Sequence, residues 1–210
     1  MSYSKEMCVF LLSNPQMIEE DSLTEHVEAT VFKAINTAIS KRLGERSPWR
    51  TRFGLVVEDE DGNDDTVFAP LDWPTKPGHA DLVVFRLTET DANANSYWLG
   101  SALGLNGCTM AFEFWMDGRP AGPSRYKVKQ RMEVFLKEQE VLHKSGFQLT
   151  KRGTLILPFN LDPVVLAKEF PDLKKSLEPM TAALENVLKL MPVFDSLVKE
   201  LLPKQTPPTK

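Results

Sequence analysis

Residues 97–116 have the sequence YWLGSALGLNGCTMAFEFWM, in which the dipeptide Asn106-Gly107 stands between two mostly apolar runs. Asn-Gly between such runs is the strongest short-range signal for a β-hairpin. The stretch therefore predicts two paired strands, Tyr97–Leu105 and Cys108–Met116, joined by a tight turn. This hairpin makes an antiparallel sheet the centre of the predicted fold.

The register set by that turn sorts the two strands into two faces. One face is bulky and apolar, which predicts that it belongs to the core. The other face pairs Trp98 with Trp115 and Gly100 with Glu113, so it combines small residues, one carboxylate and two tryptophans. Small residues on a strand let a helix pack closely on the sheet. The sharper interpretation is an open groove in which Glu113 anchors a small ligand beside the tryptophans.

The sequence before this stretch changes from helical to strand periodicity. A helix is predicted over 22–43, where Ser22 and Glu25 form a capping box and apolar residues recur every four positions. Alternating or wholly apolar runs predict three strands, at 52–58, 66–69 and 82–85.

The sequence after this stretch predicts a helix, a small hairpin and more helices. Ser124 is the expected cap of a helix that ends at Gly146, and a short hairpin follows at 147–159. Asp162 before Pro163 predicts another helix start. Later helical segments are expected to restart at three prolines, Pro171, Pro179 and Pro192.

This order of elements predicts an α+β fold with a mostly antiparallel sheet of about five strands, covering helices and a helical C-terminal region. We expect one domain over 1–203 and a disordered tail at 204–210. Its parts are an N-terminal helix and sheet in 1–118, a helix and hairpin in 124–159, and C-terminal helices in 163–202.

The composition is that of an ordinary globular protein. Of the 210 residues 42% are hydrophobic and 26% charged, which excludes global disorder and fibrous classes. Cys8 and Cys108 each lie in an apolar run, so buried free thiols and a reducing cytoplasm are expected. No run approaches the roughly 20 apolar residues that a bilayer requires, and the stretch 7–12 is too short for a signal-peptide core. A cytoplasmic protein without a membrane segment is predicted.

Neither a metal nor a cofactor is predicted. The acidic loop 59–65 has the alternating spacing of an EF-hand, but Asp64 replaces the required glycine and Pro70 replaces the bidentate carboxylate. The three histidines are not at zinc-ligand spacing. The sequence contains no phosphate loop, dinucleotide fingerprint or nucleophile elbow.

One catalytic alternative remains open. Asp81 and Glu113 lie on neighbouring predicted strands and Glu28 lies on the helix before them, so the three carboxylates are candidates to hold Mg²⁺ for phosphodiester hydrolysis. Against this, Phe114 and Trp115 follow Glu113 where such sites usually carry a lysine.

Two basic clusters offer positive charge to an anionic partner or to the chain's own acidic loop at 58–65. The first surrounds Trp49 and consists of Lys41, Arg42, Arg46, Arg50 and Arg52, and the second begins the Ser124 helix and consists of Arg125, Lys127, Lys129 and Arg131. The 25 basic and 29 acidic residues give a net charge of −4, which weighs against nucleic acid without excluding it. A protein partner is therefore favoured, and a spare apolar stripe over 193–202 would suit that partner or a second copy of the chain. The predicted partner-binding residues are Arg46, Trp49, Arg50, Arg52, Arg125, Lys127 and Lys129.

Taken together, the sequence predicts a non-catalytic cytoplasmic interaction or regulatory protein that binds a protein partner through charged surfaces. The alternatives are the metal-dependent phosphodiesterase and the protein that binds a small ligand between its tryptophans.

Overall fold

A computed structural model describes residues 3–18, 22–44, 48–54, 66–75, 82–90, 98–116 and 124–202. The helices in these ranges are α1 (Lys5–Ser13), α2 (Ser22–Gly44), α3 (Trp98–Ala102), α4 (Arg125–Glu138), α5 (Glu140–Lys144), α6 (Pro163–Glu169), α7 (Glu178–Lys189) and α8 (Met191–Leu201). The strands are β1 (Trp49–Arg52), β2 (Val67–Pro70), β3 (Val83–Glu89), β4 (Met110–Met116), β5 (Gln148–Leu149) and β6 (Leu155–Phe159).

The six described strands form one sheet in the order β1-β2-β3-β4-β6-β5. Every neighbouring pair runs antiparallel. Because β6 pairs with β4 as well as with β5, the small C-terminal hairpin extends the sheet instead of forming a separate unit. The predicted α+β fold with an antiparallel sheet and C-terminal helices is confirmed.

An aromatic cluster joins α8 to one face of the sheet. The ring centroid of Phe194 lies 5.0 Å from that of Phe85 and 4.9 Å from that of Phe114, on the two central strands β3 and β4. Burying a side chain of this size stabilises the fold by about 1.5–3 kcal/mol. Leu197 is fully buried as well. The apolar stripe expected to be spare over 193–202 is thus largely used inside the chain.

Two predicted helix starts are confirmed. Each was predictable because capping is a contact between residues only two or three positions apart. The Ser124 hydroxyl accepts a hydrogen bond from the Lys127 N–H at 3.4 Å. The Asp162 carboxylate accepts from the Val164 N–H at 2.8 Å, and Pro163 occupies the first turn of α6. α2 also has the extent that the four-residue periodicity predicts.

The predicted hairpin over 97–116 is wrong. Asn106 and Gly107 do turn the chain, with φ angles of 54° and 77°. The residues before them, however, form α3, and Asn106 and Gly107 themselves belong to a short 3₁₀ turn, Leu105–Gly107. β4 pairs with β3 on one side and β6 on the other, so neither edge is left for 98–105. The predicted cross-strand pairs of the hairpin are therefore absent.

Other boundaries differ more modestly. The apolar stretch 7–12 forms most of α1, whose first turn is capped by the Ser4 side chain. The first strand covers Trp49–Arg52 rather than 52–58, of which residues 55–58 lie outside the described ranges. The helix after Ser124 breaks at Gln139, and Pro171 begins a turn instead of a helix. Within the described ranges, no helix combines the length and apolar character needed to cross a membrane.

Candidate functional site

An open groove with a distinctive charge lies beside α2. One wall is the outer side of α2, the other is the turn at 171–177 together with the start of α7. The groove encloses about 700 Å³. Its lining is Thr30, Lys33, Ala34, Thr37, Ala38, Lys41, Arg42, Pro171, Asp172, Leu173, Lys174, Leu177 and Thr181. We call it the α2 groove.

The floor of the α2 groove is apolar. Ala34 and Ala38 lie one helical turn apart on α2 and are half-buried, so their small side chains leave room above the helix. Leu173 and Leu177 are buried in the facing wall. A ligand seated in this groove would therefore cover apolar surface as well as polar groups.

The rim of the α2 groove is positively charged. Lys33, Lys41 and Lys174 are exposed, and none of the three forms an ion pair with any residue in the described ranges. The fourth cation, Arg42, lies 3.5 Å from the Glu185 carboxylate of α7. The lining includes one acid, Asp172, so the groove carries an excess of positive charge.

Glu169 holds the wall that faces α2. Its carboxylate accepts a hydrogen bond from the Ser176 N–H at 2.9 Å. That bond, with further backbone N–H donors at Lys175 and Lys174, lowers the pKa of Glu169 below its ordinary value. The carboxylate at the end of α6 thus anchors the turn that carries Leu173 and Lys174, within which their own N–H groups donate to the Pro171 and Asp172 carbonyls.

Glu113, the predicted ligand anchor, is committed to an ion pair. It lies directly opposite Arg86 across β4 and β3, and its carboxylate accepts a hydrogen bond from the Arg86 Nε. The Trp115 ring lies beside the pair, with its centroid 5.8 Å from the guanidinium carbon. Glu113 does point away from the buried Phe112 and Phe114, as its alternation with them predicts.

The other half of the predicted tryptophan groove lies elsewhere. Trp98 and Gly100 belong to α3, and the Trp98 ring packs edge-on against Phe32 of α2 with centroids 5.2 Å apart. The pairing on which the groove rested is therefore wrong, because Trp98 and Trp115 are not cross-strand neighbours.

The two predicted Mg²⁺ carboxylates that the structure describes, Glu28 and Glu113, have separate partners. Glu28 is buried and accepts a hydrogen bond from the Leu99 N–H at 2.8 Å. Desolvation raises the pKa of Glu28, and so does the nearby Glu89, whose own pKa is raised by burial. Asp81 lies outside the described ranges. Among the residues that are described, no three His, Cys, Asp or Glu side chains are grouped so that they could hold a metal ion.

The first basic cluster is partly absorbed into the fold. The half-buried Trp49 packs against Phe68, with ring centroids 5.9 Å apart. Arg50 donates to the backbone carbonyl of Trp73 at 3.4 Å. Arg52 is exposed, whereas Arg46 lies outside the described ranges. Of the described residues Trp49, Arg50 and Arg52, only Arg52 is exposed, so these three do not form one exposed basic patch.

The second basic cluster behaves in the same way. The Lys129 ammonium donates to the Lys151 carbonyl at 3.2 Å, and Arg131 forms a two-point contact with the Glu200 carboxylate. Lys127 is exposed. Arg125 begins α4, and its side chain lies outside the part that the structure describes.

Sequence reasoning missed the α2 groove, although one signal was present. Lys33, Thr37 and Lys41 follow one another at four-residue spacing on the side of α2 away from its buried stripe, next to Ala34 and Ala38. A row of basic residues beside a row of small residues indicates a helix face that contacts something other than solvent. The facing wall, 130 residues further along the chain, gives no comparable sign.

The chain was compared with protein-family models, with curated proteins and with solved structures, and none of the three comparisons finds a match.

Proposed function

We propose that this chain is a non-catalytic interaction or regulatory protein that binds an acidic region of a partner protein in the α2 groove. The observation that carries the proposal is the set of three lysines, Lys33, Lys41 and Lys174, exposed without an ion-pair partner in the described ranges around an apolar floor. Both cysteines are buried and neither forms a disulfide, which supports a reducing, cytoplasmic compartment as part of the same proposal.

The energetics favour an amphipathic acidic ligand over a simple anion. An exposed ion pair contributes only about 0.2–1 kcal/mol, so three lysines alone give weak binding. Apolar surface removed from water adds roughly 25 cal/mol per Å², and the floor at Ala34, Ala38 and Leu173 supplies such surface. The positive charge of the lysines then selects for a negatively charged partner and increases the association rate.

A titration with a defined probe tests the proposal. We expect a fluorescein-labelled peptide of about 16 residues, composed of Glu, Leu and Ala, to bind the full chain in fluorescence anisotropy. The variant K33E/K41E should bind at least about tenfold more weakly, which corresponds to about 1.4 kcal/mol. K137E/K199E is the matched control, because it changes the net charge equally at exposed lysines outside the groove.

Two results would overturn the proposal. The first is equal loss of peptide binding in K33E/K41E and K137E/K199E, which would show a response to net charge alone. The second is binding of a DNA duplex as tight as that of the peptide and equally dependent on Lys33, which would point to nucleic acid. Raising the salt should weaken genuine binding, because exposed charges are screened over about 8 Å at physiological ionic strength.

A further inference from the structure

Resting on the proposed function, we infer that the occupant of the α2 groove is an amphipathic α-helix whose acidic residues flank a narrow apolar stripe. The groove follows α2 from Thr30 to Arg42. At 1.5 Å per residue this is about 18 Å, the length of a partner helix of about 12 residues.

The surface of α2 in the groove has the relief that helix packing requires. Thr30, Ala34 and Ala38 form one row at four-residue spacing, and Lys33, Thr37 and Lys41 form the neighbouring row. A row of small side chains beside a row of long ones makes a channel into which a ridge of another helix fits, with axes about 8–10 Å apart.

The charges on α2 repeat at a helical distance. Lys33 and Lys41 are eight residues apart, or about 12 Å along the helix axis. Carboxylates at positions i and i+7 or i+8 of an adjacent helix have nearly the same separation. Lys174 stands on the opposite wall, so acids are expected on both sides of the partner's apolar stripe.

Backbone hydrogen bonding argues against an extended occupant. A strand needs free N–H and C=O groups along the surface that receives it. The α2 wall offers side chains only, since its backbone groups are bonded within the helix. On the other wall, the Ser176 N–H donates to the Glu169 carboxylate and the Lys174 N–H donates to the Asp172 carbonyl. A helix, which satisfies its own backbone, does not need these groups.

Three peptides of equal length and charge separate this inference from the proposed function. The first is the Glu, Leu and Ala peptide arranged as an amphipathic helix, the second is a scrambled version, and the third exchanges one central Ala of the first for Pro. We expect the first to bind at least about tenfold more tightly than the other two, because proline breaks a helix interior. K174E should weaken binding of the first peptide as K33E does, and Ala38→Trp should block it by filling the floor. Circular dichroism of each variant checks that the fold is intact.

The other possible outcomes of this experiment distinguish the helical occupant from the acidic-partner proposal. Equal, Lys33-dependent binding of all three peptides would overturn the helical occupant while leaving the acidic-partner proposal standing. Absence of Lys33-dependent binding for every peptide would overturn both. Lys33-dependent binding to phosphatidylserine vesicles that is tighter than binding to the first peptide would replace the helix with an anionic lipid surface.

Discussion

Removing Arg86 while keeping Glu113 is the sharpest test of the ion pair in the sheet. The pair joins directly opposed residues of β3 and β4, the two central strands. The Glu113 side chain is 6% exposed and that of Arg86 is 25% exposed. In the variant R86M the carboxylate keeps its place on β4, but it loses the cation that offsets its desolvation.

The expected decrease in the free energy of unfolding depends on how deeply Arg86 and Glu113 are buried. Deleting one member of a buried ion pair usually destabilises a protein by about 3–5 kcal/mol. Because a quarter of Arg86 still contacts water, solvent screens part of the interaction, and we expect about 3 kcal/mol. Replacing both partners, in R86M/E113L, leaves no buried charge and should return the stability to within about 1 kcal/mol of the unmodified chain.

Urea unfolding followed by circular dichroism measures these differences. K144M is the matched control, since Lys144 and Glu140 form an exposed i, i+4 pair worth no more than about 0.5 kcal/mol. If R86M costs no more than K144M, the buried pair is not a stabilising element and the reasoning fails. A rise in the unfolding midpoint with Mn²⁺ that disappears in E113Q would instead restore the metal-binding alternative.

Three further predictions concern other parts of the fold. Glu28→Ala leaves the Leu99 N–H without its acceptor and should cost about 1–3 kcal/mol in urea unfolding, whereas Glu28→Gln keeps an acceptor and should cost less; equal costs would contradict this role. Because burial raises the pKa of Glu28 above its ordinary 4.5, the folded chain binds more protons than the unfolded chain just above that pH. This contribution to stability is lost as the pH rises through the raised pKa, and a Glu28→Gln chain with the same slope would refute it. Gly153→Ala should destabilise more than Gly107→Ala: both glycines have positive φ, but a Cβ at Gly153 meets the Lys129 stem, and equal thermal shifts would show that the stem simply moves aside.

Features decided by neighbours in the sequence were predictable. Ser124 and Asp162 cap their helices through N–H groups two or three residues away, so the cap residue and the helix start appear together in the sequence. The same holds for β2 and β3, where runs of consecutive apolar residues predict the strands and are buried in the structure. Such signals need no knowledge of the rest of the fold.

The mistaken hairpin shows where local reasoning ends. Asn106 and Gly107 adopt the positive φ angles that their types favour, so the turn itself is local and predictable. Whether 98–105 is a strand depends on whether β4 has a free edge, and both of its edges are occupied by strands from elsewhere in the chain. A short apolar run suits a helix as well as a strand, and the missing edge decides for the helix.

The basic residues show the same limit for function. A cationic side chain is available to a partner only if the folded chain itself provides no acceptor for it. Where the folded chain does provide one, that acceptor lies far away in the sequence. Lys129 finds a carbonyl 22 residues away, and Arg131 finds a carboxylate 69 residues away. Both looked available in the sequence and neither is. By contrast, Lys33, which the sequence analysis did not single out, and Lys41, which it placed in the first basic cluster, form no ion pair among the described residues. Counting basic residues therefore locates charge, but only the packing around each cation shows which charge is left to recognise a partner.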